Sequence, residues 1–179
     1  GKINIAGLTL VEASALVKSR VDNVFIGTDA YITLDQIRDV NILVSGNAKN
    51  PGVYTLTGNS NILHALTMAG GINEYGSLRV INLVRNGNII ETLDIYDILI
   101  DGNYSLKKRL RSGDVIFVEA KKQIVTIDGA VKRPARYEVK DNEFLGSVIR
   151  YSNGIKNTAD LENISLERML DGSLKSIPI

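Results

Sequence analysis

Lys132, Arg133 and Arg136 fall within five residues around Pro134, and Lys49 stands beside Pro51 at the matching place earlier in the chain. A guanidinium can grip a carboxylate or phosphate through two parallel hydrogen bonds, so such a turn suits an anionic partner. Asn50 borders the first proline, and Tyr54 and Tyr137 follow the two prolines at one spacing. Each tyrosine can stack on a sugar face and hydrogen-bond through its hydroxyl, or serve as a strand residue whose ring covers the core. Lys49, Asn50, Tyr54, Lys132, Arg133, Arg136 and Tyr137 are therefore the candidate ligand or partner contacts.

Catalytic chemistry is thinly supplied. His64 is the only histidine, and its place between Leu63 and Ala65 on a predicted helix reads as a surface or core residue, not as a base. The chain has no cysteine, which excludes disulfides, thiolate metal sites and a cysteine nucleophile. With a single histidine there is no zinc constellation. No nucleophile elbow or nucleotide phosphate loop occurs. Asp94 with Asp97, and Glu138 with Asp141, read as readily as surface or capping carboxylates. No catalytic residue, cofactor or metal is expected, and the chain reads as a binding or assembly protein.

The elements that carry these residues are repeated. Ser45–Tyr54 matches Asp128–Tyr137 at an offset of 83 residues, which also pairs Gly71-Ile72 with Gly154-Ile155 and Ile81–Arg85 with Ile164–Arg168. One spacing held through turns, a helix and strands marks a structural unit used twice. The first unit predicts strands at Ile42–Val44 and Val53–Leu56 around a turn at Pro51-Gly52. A helix from Ile62 to Ala69 follows, capped by Asn59 or Ser60 and ended by Gly70-Gly71. Ile81–Arg85 and Ile89–Leu93 flank Asn86-Gly87-Asn88, a hairpin signal. A short helix over Ile95–Ile100 leads to a strand at Val115–Val118. The second unit predicts strands at Val125–Ile127 and Tyr137–Val139, a helix at Phe144–Tyr151 and a strand at Ile164–Arg168. Nothing in it corresponds to Ser112–Val118, so it is expected to lack a closing strand and to offer an edge for pairing.

Before the repeats, Thr9-Leu10-Val11-Glu12 has the form of a capping box that opens a helix ending near Asp22-Asn23. Strands are expected at Ile3–Ile5 and Tyr31–Leu34. The opening reads as the inside of a strand, as if the chain were cut from something longer. No apolar run reaches the roughly 18 to 20 residues that span a bilayer. The formal net charge of +1 gives no global pull toward nucleic acid. Lys107, Lys108, Arg109 and Arg111, Lys121 with Lys122, and Lys132, Arg133 and Arg136 themselves, also read as solvated faces and loops.

The run from Val44-Ser45-Gly46 to Pro51-Gly52-Val53-Tyr54, then Ala65–Ile72 and Arg111–Val118, resembles the SLBB domain, a β-grasp module named for proposed soluble-ligand binding. Ile5–Ala13 resembles the end of the polysaccharide export domain that precedes such modules. The order looks like that of outer-membrane polysaccharide export proteins of Gram-negative bacteria. The second copy departs from the pattern, with Ala135-Arg136 for Gly52-Val53 and Ser152-Asn153-Gly154 for Ala69-Gly70-Gly71.

The resemblance implies an α+β chain of tandem β-grasp-like SLBB units preceded by a short strand-helix-strand export-domain tail. Residues 1–39 would be that tail, 40–120 the first SLBB domain and 121–179 a truncated second. It also implies a periplasmic, outer-membrane-associated protein that self-associates into a ring in its full-length form. Its partners would be polysaccharide, anionic if the loop bases are contacts, and inner-membrane export machinery. No nucleic acid is implied, and membrane contact would come only through a lipid-bearing cysteine or amphipathic helix outside this chain. The alternative is an independent periplasmic glycan-binding or adaptor protein built from the same modules.

Overall fold

The computed structural model describes residues 2–5, 7–33 and 38–179. Among these, the chain is mixed α+β, with four helices and nine strands. Helix α1 (Leu10–Asp22) starts on the expected capping box: Thr9 Oγ1 accepts from the Glu12 amide, and the Glu12 carboxylate accepts from the Thr9 amide. The strands expected on either side do not form at Ile3–Ile5 or Tyr31–Thr33. Leu34, the last residue of the second, lies outside the described residues, as do Gly1 and Ala6. Aromatic and β-branched residues favour a strand, but a strand also needs a partner to satisfy its ladder. Among the described residues no strand pairs with these segments.

Asp39–Gly46 (β1) and Gly52–Thr57 (β2) form an antiparallel hairpin. Helix α2 (Ile62–Met68) then crosses one face, followed by Gly76–Arg85 (β3), Asn88–Leu93 (β4), a single-turn helix α3 (Ile95–Leu99) and Val115–Ala120 (β5). The five strands make one sheet in the order β2-β1-β5-β3-β4. The last strand in sequence is thus the middle strand in space, parallel to β1 and antiparallel to β3. Ile42, Val44, Ile81, Leu83, Ile116 and Val118 point from these strands into a core closed by Ile62, Ala65, Leu66 and Ala69 of the α2 segment. The cap of α2 is Asn61, not Asn59 or Ser60. Asn61 Oδ1 accepts from the His64 amide and His64 Nδ1 accepts from the Asn61 amide, a capping box with histidine in the usual glutamate place.

The second unit repeats the opening and not the closure. Gln123–Ile127 (β6) and Ala135–Val139 (β7) pair antiparallel, and α4 (Leu145–Tyr151) follows. Ser165–Leu170 (β8) pairs with Ser173–Pro178 (β9) through an Asp171-Gly172 turn, both residues at positive φ. These are two separate two-stranded sheets, and among the described residues neither β6 nor β8 has a strand on its other side.

Candidate binding turns and the junction between units

The two proline turns share one construction. In the first, the Lys49 amide donates to Gly71 O (2.9 Å), Asn50 to Ala69 O (3.1 Å) and Asn73 to Asn47 O (3.0 Å). In the second, Lys132 donates to Gly154 O (3.0 Å), Arg133 to Ser152 O (2.9 Å) and Lys156 to Ala130 O (2.8 Å). Each turn is thereby tied to the C-terminal end of its own helix, around the bridges Ala48–Ile72 and Val131–Ile155.

The tyrosines belong to this construction. Tyr54 Oη donates to Asn50 O (2.6 Å) and Tyr137 Oη donates to Arg133 O (2.8 Å), each pinning its turn from four residues away. The Tyr137 ring packs against Tyr151 with centroids 6.2 Å apart. The Asn50 side chain donates to Ala69 O at the helix end (3.1 Å). Lys49, Lys132, Arg133 and Arg136 are exposed, and their side chains make no hydrogen bond or ion pair among the described residues. Lys156, absent from the expected set, joins the second turn through its backbone and is exposed as well. Its signal lay in the repeat, since the matching position is Asn73.

A second site was not foreseen. Arg79, at the start of β3, is only 4% exposed yet charged, and it stands where the two units meet. Its Nε donates to both oxygens of Asp94 (2.9 Å each), its Nη1 to Glu138 O (3.1 Å) and Glu143 Oε2 (3.0 Å), and its Nη2 to Glu143 Oε1 (2.7 Å). The guanidinium lies 4.4 Å from the ring centroid of Tyr96 and 5.1 Å from that of Tyr151. Ser77 Oγ and the Leu78 amide donate to the Glu138 carboxylate, and the Glu138 amide donates to Tyr96 Oη. Lys140 adds a second cation on Asp94 (2.7 Å), and Tyr151 Oη donates to Glu143 (2.5 Å).

Burial alone would push the Glu143 carboxyl up, but the bonds from Arg79, Tyr151 and the Lys140 amide outweigh it and hold it at about 2. For Arg79, burial works against the charge, and Glu143 and Asp94 more than restore it. Burial is also the main cause that raises the Tyr96 and Tyr151 hydroxyls. The expected carboxylate pairs are split by this arrangement. Asp94 caps α3 and pairs with Arg79, while Glu138 is buried at the junction; Asp97 and Asp141 are exposed.

The five-stranded sheet also has an uncovered face. Val53, Leu43, Val115, Val84 and Ile89 are in register from β2 through β1, β5 and β3 to β4, opposite the α2 side. Two clefts stand out, of about 80 and 70 Å³, far below the roughly 300 Å³ of a small-molecule pocket. Among the described residues no group of three or more histidine, cysteine or acidic side chains could hold a metal. No described helix is long and apolar enough to cross a membrane. The site's resources are thus surfaces: basic turns, an aliphatic row and open strand edges.

Residues 42–92 and 124–178 match the SLBB domain family, and the chain belongs to that family. The chain is also similar to the polysialic acid transport protein KpsD of Escherichia coli, 29% identical over 144 residues that make up 79% of this chain and 26% of the relative. A second Escherichia coli protein of the same name is 28% identical over the same share of both. The chain spans about a quarter of the length of these relatives. The tandem match and this similarity bear out the resemblance to polysaccharide export proteins with SLBB domains.

Proposed function

We propose that this chain is the periplasmic part of a polysaccharide export protein and acts without making or breaking bonds. One observation carries this reading. Similarity to a polysialic acid transport protein runs through 79% of the chain, not through a single module. On this reading residues 1–39 end an export domain, 40–120 form one SLBB domain and 121–179 open a second. The work is assembly into an outer-membrane channel and contact with the passing glycan. The aliphatic row on the open sheet face and the unpaired sides of β6 and β8 are the surfaces that support self-association. The free bases of the second proline turn support glycan contact.

The test is deletion of the gene in its own organism, with surface polysaccharide measured before and after complementation. Loss of surface glycan with accumulation inside the cell is the expected result. Unchanged export would overturn the reading. A periplasmic glycan-binding or adaptor protein is the alternative, and a full-length protein that stays monomeric in detergent and binds saccharide directly would favour it.

A further inference from the structure

The two proline turns have the same backbone and opposite electrostatic character. The first, residues 45–54 with 70–74, carries one cation, Lys49, and one acid, Glu74. The second, residues 128–137 with 153–157, carries four cations, Lys132, Arg133, Arg136 and Lys156, and one acid, Asp128. Three of those cations replace Asn50, Val53 and Asn73 of the first copy. Among the described residues Asp128 forms no ion pair with them; its Oδ1 accepts from the Gly129 amide (2.7 Å). Elsewhere Arg79, Arg85, Lys140 and Arg150 all meet carboxylates.

From this we infer that the second turn is a docking site for an acidic polysaccharide and that its counterpart in the first unit is not. The inference rests on the export reading and gives that site a substrate class. Residues 130–132 run antiparallel to 154–156, and Val131 is buried, so Lys132 and Lys156 stand on the outward side of the bridge. Diagonal neighbours of this kind lie about 7–8 Å apart. Arg133 is fixed at the turn by the Tyr137 hydroxyl, and Arg136 extends from the outward side of β7 opposite Thr126.

The cations are therefore held on a braced frame, and their charge attracts without having to break an existing pair. A polymer with repeated carboxylates can engage several of them at once, each contact raising the effective concentration for the next. The turn offers Pro134 and Ala135 but no exposed large aliphatic or aromatic side chain. A membrane surface would call for such a side chain to insert, and a protein partner for one to anchor.

The probe is polysialic acid, with neutral dextran as control, titrated onto the chain at low ionic strength. Lys132→Ala, Arg133→Ala, Arg136→Ala and Lys156→Ala are combined in one variant, and Lys49→Ala is the matched control. All five backbones keep their bonds, and an unchanged melting temperature checks the fold. Binding of polysialic acid should fall roughly tenfold or more in the combined variant, stay constant in Lys49→Ala, and weaken with added salt. No binding at low salt, or equal loss in Lys49→Ala, overturns the inference. Equal binding of polyglutamate or of phosphatidylglycerol vesicles also overturns it, in favour of an acidic protein or a membrane. The two readings fail separately. A gene whose deletion spares export ends the export role but leaves the binding result standing. Normal export by a full-length combined variant, with polysialic acid bound as tightly as by the wild type, ends the site but leaves the role.

Discussion

The first and second units share a turn, a helix and a bond pattern, yet only the first closes a sheet. Its β5 lies between β1 and β3, close enough that a Cβ on Gly46 would come within 2.2 Å of Val118 O. Gly129, the matching residue of the second unit, has the same left-handed backbone, φ +84° against +72°, but nothing stands within 4 Å of its would-be Cβ. The repeated residues thus encode the clasp between turn and helix, which is local. Sheet closure depends on a strand from far along the chain. The second unit has Val131, Val148 and Tyr151 as its buried hydrophobics, and it leans on the first through Arg79. One unit is held by apolar packing, the other by a shared polar junction.

Four experiments test this contrast. Arg79→Leu should have the largest effect, because it leaves Asp94 and Glu143 charged and enclosed at the junction. A loss of about 3–5 kcal/mol is expected. Calorimetry should then show the second unit melting before the first, and a single unchanged transition would refute the shared junction.

Gly46→Ala and Gly129→Ala form a matched pair. Both incur the left-handed cost of roughly 1–2 kcal/mol, and only Gly46→Ala also drives a methyl into the β5 backbone. Denaturant melts should place Gly46→Ala well below Gly129→Ala. Equal losses would mean that β5 does not bear on β1 as described.

Acid should act on the junction first. Glu143 has a folded value of about 2 against an ordinary 4.5, so the folded state binds fewer protons than the unfolded one. Its contribution is full above about pH 4.5 and is lost as pH falls toward 2. Amide exchange at α4 should accelerate across that window sooner than at α2. Uniform acceleration would place the acid-sensitive group elsewhere.

The smallest effect tests what the copies share. Tyr54→Phe and Tyr137→Phe each remove one hydroxyl bond to a turn carbonyl, for a cost of about 0.5–1.5 kcal/mol apiece. Equal costs would confirm one construction used twice.

What could be read from the residues follows the same division. The proline turns, the glycine ends of the helices and the Asn86-Gly87 hairpin were legible because each depends on neighbours in sequence. Asp171-Gly172 carries an equally clear hairpin signature for β9 and is the counterpart of Asn86-Gly87, but it sits two residues off the 83-residue offset that marks the rest of the repeat. The flanking strands at Ile3–Ile5 and Tyr31–Thr33 were over-read, since propensity makes a sheet only where another strand pairs, and among the described residues none does. Arg79 was illegible because an arginine in a strand reads as a solvated residue. Its partners Glu138 and Glu143 lie some sixty residues on, and no local pattern announces them. Of the candidate contacts, the cations were recognised by charge alone. The bracing roles of Tyr54, Tyr137 and Asn50 emerged only with the carbonyls they meet.

The Arg79 junction also has a mechanical meaning. Apolar surfaces can slide across one another, because dispersion has little sense of direction. A guanidinium gripping two carboxylates and a carbonyl, with the edge-to-face pair of Tyr96 and Tyr151 packed beside it, has one setting and little slack. A twist applied to one unit is therefore passed to the other as rotation instead of being absorbed as slip. The two units are thus joined by a welded joint, and the setting of that joint rests on a single side chain.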